Sequence, residues 1–193
     1  AMSGGVDSSV AALLLAREGY EVIGVTLRLW TEDRPDAAPL SRGCCTLEDI
    51  NDARRVCEVI GARHYVVNAE REFRTSVVDY FLAEYERGRT PHPCIACNDL
   101  IKFDFLLKRA MAMDADFIAT GHYARSVFDG DGNPTLMKAV DPSKDQSYVL
   151  FGLGQDQLRR LLLPVGWYTK ADLRELARDA GLGIADKPDS QDI

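Results

Sequence analysis

The chain has 193 residues, 46% of them hydrophobic, and a formal net charge of -7. That apolar content suffices for one compact α/β domain of generous size, and the acidic balance excludes a bulk electrostatic grip on nucleic acid, so any RNA contact must be local. No apolar run approaches the ~20 residues that cross a bilayer, and no basic leader precedes an apolar stretch, so a soluble, cytoplasmic protein without a membrane partner is expected.

The chain opens on Ser3-Gly4-Gly5-Val6-Asp7-Ser8-Ser9, followed at once by an apolar helical run, residues 10–16. The first turn of a helix leaves backbone N–H groups without internal partners, and with the positive end of the dipole they favour an anion. Gly4 and Gly5 allow close approach to a phosphate, Ser3, Ser8 and Ser9 add hydroxyls, and Asp7 can hold a water or Mg²⁺ at the phosphates. No Gly-Lys-Ser/Thr follows, so this is not a Walker loop, and it is not the dinucleotide Gly-x-Gly-x-x-Gly.

The helix ends near Gly19, and residues 21–30 (EVIGVTLRLW) read as a largely buried strand. A polar loop over 31–45 leads to Thr46 and Asp49, a helix start. Ile50, Ala53, Val56, Cys57 and Ile60 then recur at helical spacing up to Gly61. Residues 64–67 form a short strand, 71–88 and 99–113 amphipathic helices, and 116–123 (DFIATGHY) a strand. Such alternation predicts an α/β fold with a doubly wound parallel sheet. Beyond it, 124–128 and 135–140 flank a turn-rich segment as a hairpin would, and a helix capped by Thr169 and Asp172 ends at Gly181. Two domains are expected: residues 1–142, nucleotide-binding and catalytic, and a helical extension over 143–193. Only Ala1 and Met2 precede Ser3, so a first core strand is expected to be missing from this chain.

The five cysteines, Cys44, Cys45, Cys57, Cys94 and Cys97, are an odd set at irregular spacing, which suits intracellular metal or redox chemistry better than a secreted disulfide framework. Two of them lie in Thr90-Pro91-His92-Pro93-Cys94-Ile95-Ala96-Cys97, a stiff loop that delivers both sulfurs at the entrance of the next helix. Thiols there ionise more readily, and Cys-x-x-Cys puts both within reach of one metal, one cluster or each other. A structural zinc site completed by His92 or His64, an iron-sulfur cluster and a simple dithiol are all compatible with the spacing. Cys44, Cys45 and Cys57 read as structural, Trp30 and Phe103 as core, and His122 as a pocket residue or a hydrogen-bonded structural one. The basic set Arg87, Arg89, Lys102, Lys108 and Arg109 fits a phosphate contact or a solvated face equally well.

SGGVDSS resembles the PP-loop of the ATP pyrophosphatases, which cleave ATP between its α and β phosphates. TPHPCIACNDLIKF resembles the catalytic loop of the tRNA-specific 2-thiouridylase family. ATGHYAR (119–125), SKDQSYVLFGL (143–153) and KPDSQDI (187–193) are similar to further segments of that family, in order. The resemblance implies an adenine nucleotide alpha hydrolase-like fold and ATP-dependent 2-thiolation of the wobble uridine of tRNA, with Mg²⁺. Carried across by position, it places Ser3, Gly4, Gly5, Val6, Asp7, Ser8, Leu27 and Gly121 on ATP, and makes Cys97, with Cys94 and Asp7, catalytic. It sets His92, Pro93 and Cys94 against the target base and Lys144, Asp145 and Gln146 on the tRNA anticodon region. A sulfur donor protein or sulfide is implied as partner. Many members carry Asp at the position of Cys94, and the Cys form resembles the branch proposed to hold a 4Fe-4S cluster on three cysteines: Cys94, Cys97 and one expected just beyond Ile193. The alternatives are another iron-sulfur PP-loop tRNA thiolase, an amide-forming PP-loop synthetase, or an inert nucleotide-binding fragment.

Overall fold

The computed structural model describes residues 1–29 and 46–189. Trp30, Cys44, Cys45 and residues 190–193 of the last matched block lie outside the described residues. Helix α1 (Val6–Arg17) is buried all round from Ser8 to Leu15, as befits a helix inside the molecule. Its end is marked by Gly19 at φ 89, a conformation glycine adopts without strain. Strand β1 (Ile23–Arg28) then leads, across the undescribed stretch, to α2 (Leu47–Ile60). A reciprocal capping box between Thr46 and Asp49 starts α2, and Gly61 at φ 72 ends it. Ile50, Ala53, Val56 and Cys57 form its buried face, as their spacing predicts.

Strand β2 (Arg63–Asn68) pairs in parallel with β1, Ile23 opposite Arg63 through Arg28 opposite Asn68. A second parallel pair joins β3 (Ile118–Ala119) to β6 (Leu161–Leu162). The opening residues lie between the pairs: the Met2 N–H donates to the Val25 carbonyl at 2.8 Å, and the Ala1 nitrogen to the Ala119 carbonyl at 2.6 Å. These two bonds span the space between the two parallel pairs. The hairpin is present as β4 (Ala124–Phe128) and β5 (Pro134–Lys138), antiparallel.

Between β2 and β3 run two long helical stretches, 70–86 and 93–111, each with a wider π-type portion, Arg74–Val78 and Cys97–Leu106. Such winding is frequent at functional sites. The second stretch begins six residues earlier than its periodicity predicts, because Pro93 sits at the first helical position, where its missing N–H costs nothing and its φ is preset. Cys94 and Cys97 are therefore inside the helix, not in the loop before it.

Two apolar clusters hold these layers. One surrounds α1 and gathers Met2, Val10, Leu13, Leu14, Ala53 and Cys57 with Leu173 and Ala177 of the helix Lys170–Asp179 and with Leu182 and Ile184. The other surrounds the 93–111 helix and joins Leu27, Val77, Cys97, Ile101, Phe103, Ile118, Leu150 and Leu161. Residues on both sides of the expected boundary at 142 thus share one core. Cys57 is buried against the Met2 sulfur at 3.3 Å, and Phe103 is core as expected. Thr46→Ala removes the acceptor for the Asp49 N–H. It is expected to lower unfolding free energy by about 1 kcal/mol, measured by urea denaturation.

Candidate functional site

Gly5 caps α1 in extended conformation, φ -90 and ψ 171, without a side-chain cap, and among the described residues no side chain is seen to accept from the first-turn amides. The open donors expected of an anion site are therefore in place. Backbone contact fixes their position. A Cβ at Gly121 would lie 2.5 Å from the Ser8 nitrogen and 2.7 Å from the Asp7 carbonyl carbon, so the chain leaving β3 rests directly on the first turn of α1. Gly4, at φ 74, lies equally tight against the backbone of Asp49. Both glycines are needed for close approach.

The hydroxyls differ in use from expectation. Ser8 Oγ accepts the Ser3 N–H at 3.1 Å and donates to the Gly5 carbonyl, and Ser9 Oγ donates to that carbonyl at 2.7 Å. They hold the loop in shape, and Ser3 is the exposed member. Val6 is buried, and Leu27 is buried in β1 within the cluster that holds Cys97.

Asp7 has partners that sequence reading missed. Its Oδ1 accepts the Tyr123 hydroxyl and the Lys170 ammonium, each at 2.7 Å. Burial and the Asp7 charge push the Tyr123 phenol far above its ordinary range, so it stays a donor. Lys170 also meets Asp189 at 2.9 Å, and Asp189 collects Lys144 at 2.7 Å and Arg174 at 3.1 Å. Bonds from Lys144 and Lys170 hold the Asp189 carboxyl well below the usual range. Nearby, the Lys187 ammonium reaches the Gly4 carbonyl at 3.1 Å, Asp49 at 2.7 Å and Asp52 at 2.6 Å. Burial raises the Asp49 carboxyl, but its bonds to Lys187 and Thr46 outweigh that and bring it down. Tyr123 and Lys187 stand in matched blocks, so their presence was legible; their contacts cross most of the chain and were not.

Of the residues expected on tRNA, Lys144 is engaged by Asp189, and Asp145 accepts the Ala139 N–H at 2.8 Å and the Ser147 hydroxyl at 2.8 Å. Gln146 bonds Tyr123 twice, side chain to N–H and N–H to carbonyl. Gln146 thereby positions the tyrosine that holds Asp7.

At the cysteines, His92 is exposed, Pro93 and Cys94 are half-buried, and Cys97 is buried at 4% exposure. The next residue, Asn98, is buried, donates to the Val149 carbonyl at 3.0 Å and accepts from Lys102 at 2.8 Å. The His92 ring meets Tyr148 edge-on at 6.1 Å. His122 bonds Thr120 at 2.8 Å, and burial, with the Lys102 charge, keeps it neutral; it is the hydrogen-bonded structural histidine. His64 bonds Thr26 at 2.9 Å. Among the described residues no group of three or more His, Cys, Asp or Glu side chains gathers as a metal site. Cys94 and Cys97 alone supply half of a four-ligand set and do not by themselves fit zinc or a cluster.

The whole chain, residues 1–193, matches the family described as tRNA methyl transferase HUP domain. The tRNA-specific 2-thiouridylase MnmA 2 of Caldanaerobacter subterraneus subsp. tengcongensis is 55% identical over 193 residues, 100% of this chain and 53% of that protein. MnmA 1 of Thermoanaerobacter sp. (strain X514) is 54% identical over 193 residues, with the same two shares. MnmA of Carboxydothermus hydrogenoformans is 55% identical over 194 residues, again 100% and 53%. The chain spans about half the length of these curated relatives. Matched from its first residue to its last, it belongs to the tRNA methyl transferase HUP domain family and is similar throughout to tRNA-specific 2-thiouridylases.

Proposed function

We propose that the protein contributes the nucleotide-binding and sulfur-transfer half of an ATP-dependent enzyme that 2-thiolates the wobble uridine of tRNA in the cytoplasm. The observation that carries this reading is the uncapped first turn of α1 held in place by Gly121, on a chain similar along its whole length to named 2-thiouridylases. In it, Ser3, Gly4, Gly5, Val6, Asp7, Ser8, Leu27 and Gly121 surround ATP, and the first-turn amides take its phosphates.

A uridine carbonyl oxygen is a poor leaving group. Attack by O2 on the α phosphorus expels pyrophosphate and turns that oxygen into part of a departing AMP; sulfur then attacks C2 and AMP leaves. Developing negative charge at the phosphates is met by preset backbone donors, which need no reorganisation at the moment of reaction. Mg²⁺, when bound, would neutralise phosphate charge. Asp7, whose Oδ1 carries Tyr123 and Lys170, is the residue that would hold it. Cys97 and Cys94 are the sulfur-handling residues: a sulfur donor protein passes the outer sulfur of its own persulfide to Cys97, that sulfur attacks C2 as AMP leaves, and the Cys94 thiolate then cleaves the sulfur–sulfur bond, releasing 2-thiouridine and leaving a Cys94–Cys97 disulfide; sulfide, as the alternative donor, attacks C2 directly with no change of oxidation state. His92, Pro93 and Cys94 face the base, and Lys144, Asp145 and Gln146 the tRNA. A wobble base is already unpaired in its loop, so its extraction costs little. In the 4Fe-4S alternative Cys94 and Cys97 would be two of the cluster's cysteine ligands.

Asp7→Ala should lower tRNA-dependent AMP release by about 10²-fold or more, and wild-type release would overturn the nucleotide assignment. Cys97→Ser should keep AMP formation but abolish 2-thiouridine, read by nucleoside analysis of the tRNA; continued thiolation would remove Cys97 from the reaction. Anaerobic iron and sulfide analysis of the wild type and Cys97→Ser separates cluster from persulfide. In Gly121→Ala the new methyl must displace backbone at Ser8. It should cost about 1–3 kcal/mol of stability and weaken ATP binding, measured by denaturation and by equilibrium titration.

A further inference from the structure

Beside Asp7, three cations converge on one carboxylate. Lys170, in the first turn of the helix Lys170–Asp179, meets Asp189 Oδ1 at 2.9 Å, and Arg174, one turn on, gives its Nη2 to the same oxygen at 3.1 Å. Lys144 takes Oδ2 at 2.7 Å. The donors are held by other bonds as well: Arg174 Nη1 donates to the Ala185 carbonyl at 2.7 Å, and the Lys170 ammonium also rests on Asp7. One carboxylate is thus gripped through both oxygens as two oxygens of a phosphate are gripped by Lys and Arg.

Exposure is graded. The Lys170 side chain is 14% exposed and Arg174 24%, while Asp189 is 39% exposed. The anion therefore lies on the solvent side of Lys170 and Arg174, level with Lys144 at 38%, and it can leave without opening the core. Asp7, Asp141 and Asp189 oppose Lys144, Lys170 and Arg174 in this cluster, with the Lys170 N–H on Asp141 Oδ2. When Asp189 is displaced one positive charge is left uncompensated, which a phosphate, with more charge and a third oxygen, satisfies better than a carboxylate does. The chain stays anchored two residues earlier, where Lys187 holds the Gly4 carbonyl, Asp49 and Asp52. We propose that Lys144, Lys170 and Arg174 form a phosphate-binding site beside the α1 loop, which the Asp189 carboxylate fills as an internal ligand and yields to an incoming phosphate group. The site rests on the proposed nucleotide loop only for the source of its phosphate: ATP, through the contact of Lys170 with Asp7, or an RNA phosphodiester, through Lys144.

Calorimetric titration of the protein with inorganic pyrophosphate, with ATP and with an anticodon stem-loop RNA, in wild type and Asp189→Asn, tests it. Asp189→Asn should tighten pyrophosphate binding by about tenfold, and Arg174→Gln in that background should cancel the gain. Should that double variant lose its circular dichroism spectrum, Lys144→Gln, on the exposed side, gives the same reading. A parallel gain for ATP assigns the phosphate to the nucleotide, and a gain for the stem-loop alone assigns it to RNA. No gain with any of the three ligands, or a gain that survives removal of the cations, overturns the site. AMP release is not the readout, so failure of the thiolation chemistry would leave this result interpretable.

Discussion

Everything at this site depends on backbone lying against backbone around the first turn of α1. Gly121 brings the end of β3 onto Asp7 and Ser8, and Gly4 lies on Asp49. A side chain at either place would have to push a peptide group aside, which costs far more than moving the tip of a flexible side chain. The amide donors of the turn are consequently fixed by the sheet and by α2 together. Asp49 joins these parts: its side chain closes the α2 capping box, its backbone supports Gly4, and its carboxylate receives Lys187. Helix start, loop shape and docking of the 182–189 segment are one unit, in which no member can shift alone.

Charge is distributed unevenly over an acidic protein. Surface pairs such as Arg87 and Arg89 with Glu84, or Lys108 with Asp104, have exposed cations and contribute little, about 0–1 kcal/mol each. Of the basic set flanking the cysteines, Arg87, Arg89 and Lys108 face acids of their own surface, Arg109 lies over Phe105, and Lys102 holds Asn98. The cations around Asp7 are different in kind. Lys170 is largely shielded from water, and removing a charge from water is costly unless opposite charges replace the lost hydration. Asp7 and Asp189 do so, each within 3 Å. Such a cluster tolerates exchange of one anion for another and resists loss of an anion altogether, which is the behaviour of a binding site.

What the sequence displayed was local. The caps at Thr46 and Thr169, the glycine stops at Gly19 and Gly61 and the apolar face of α2 are all written within a few residues, and all appear in the structure. The hairpin is likewise present, with β5 starting at Pro134. Strand β6 escaped notice because two residues carry no periodicity; Leu161–Leu162 is a strand only by virtue of β3 beside it. The 116–123 run has strand composition, yet only Ile118–Ala119 forms a strand in it, with the Thr120 N–H still on the Leu162 carbonyl, since from Gly121 the chain rests on α1. Of the site, the loop and Gly121 were visible as motif residues. Asp189 stood in the last matched block without its partners being visible, and Lys170 was not visible at all, because nothing local to residue 170 tells that Asp7, 163 positions away, is its partner.

The paired cysteines and the loop are joined by a continuous set of bonds rather than by proximity in sequence. Asn98, next to Cys97, is fixed to the Val149 carbonyl; the same short segment holds Gln146, whose two bonds fix Tyr123; and Tyr123 donates to Asp7. A further contact lies at the first joint, the His92 ring edge-on to Tyr148. The 143–153 block therefore has a structural duty irrespective of any RNA contact: it ties the helix that carries Cys97 to the Tyr123–Asp7 contact at the α1 loop. The proposed reaction, which would activate one atom of a base with ATP and replace it with sulfur, needs its two groups accurately held, since small misplacement is costly in rate. The hydrogen bonds through Asn98, Gln146 and Tyr123 couple the helix that carries Cys97 to Asp7, so a change in the 143–153 segment would disturb both together.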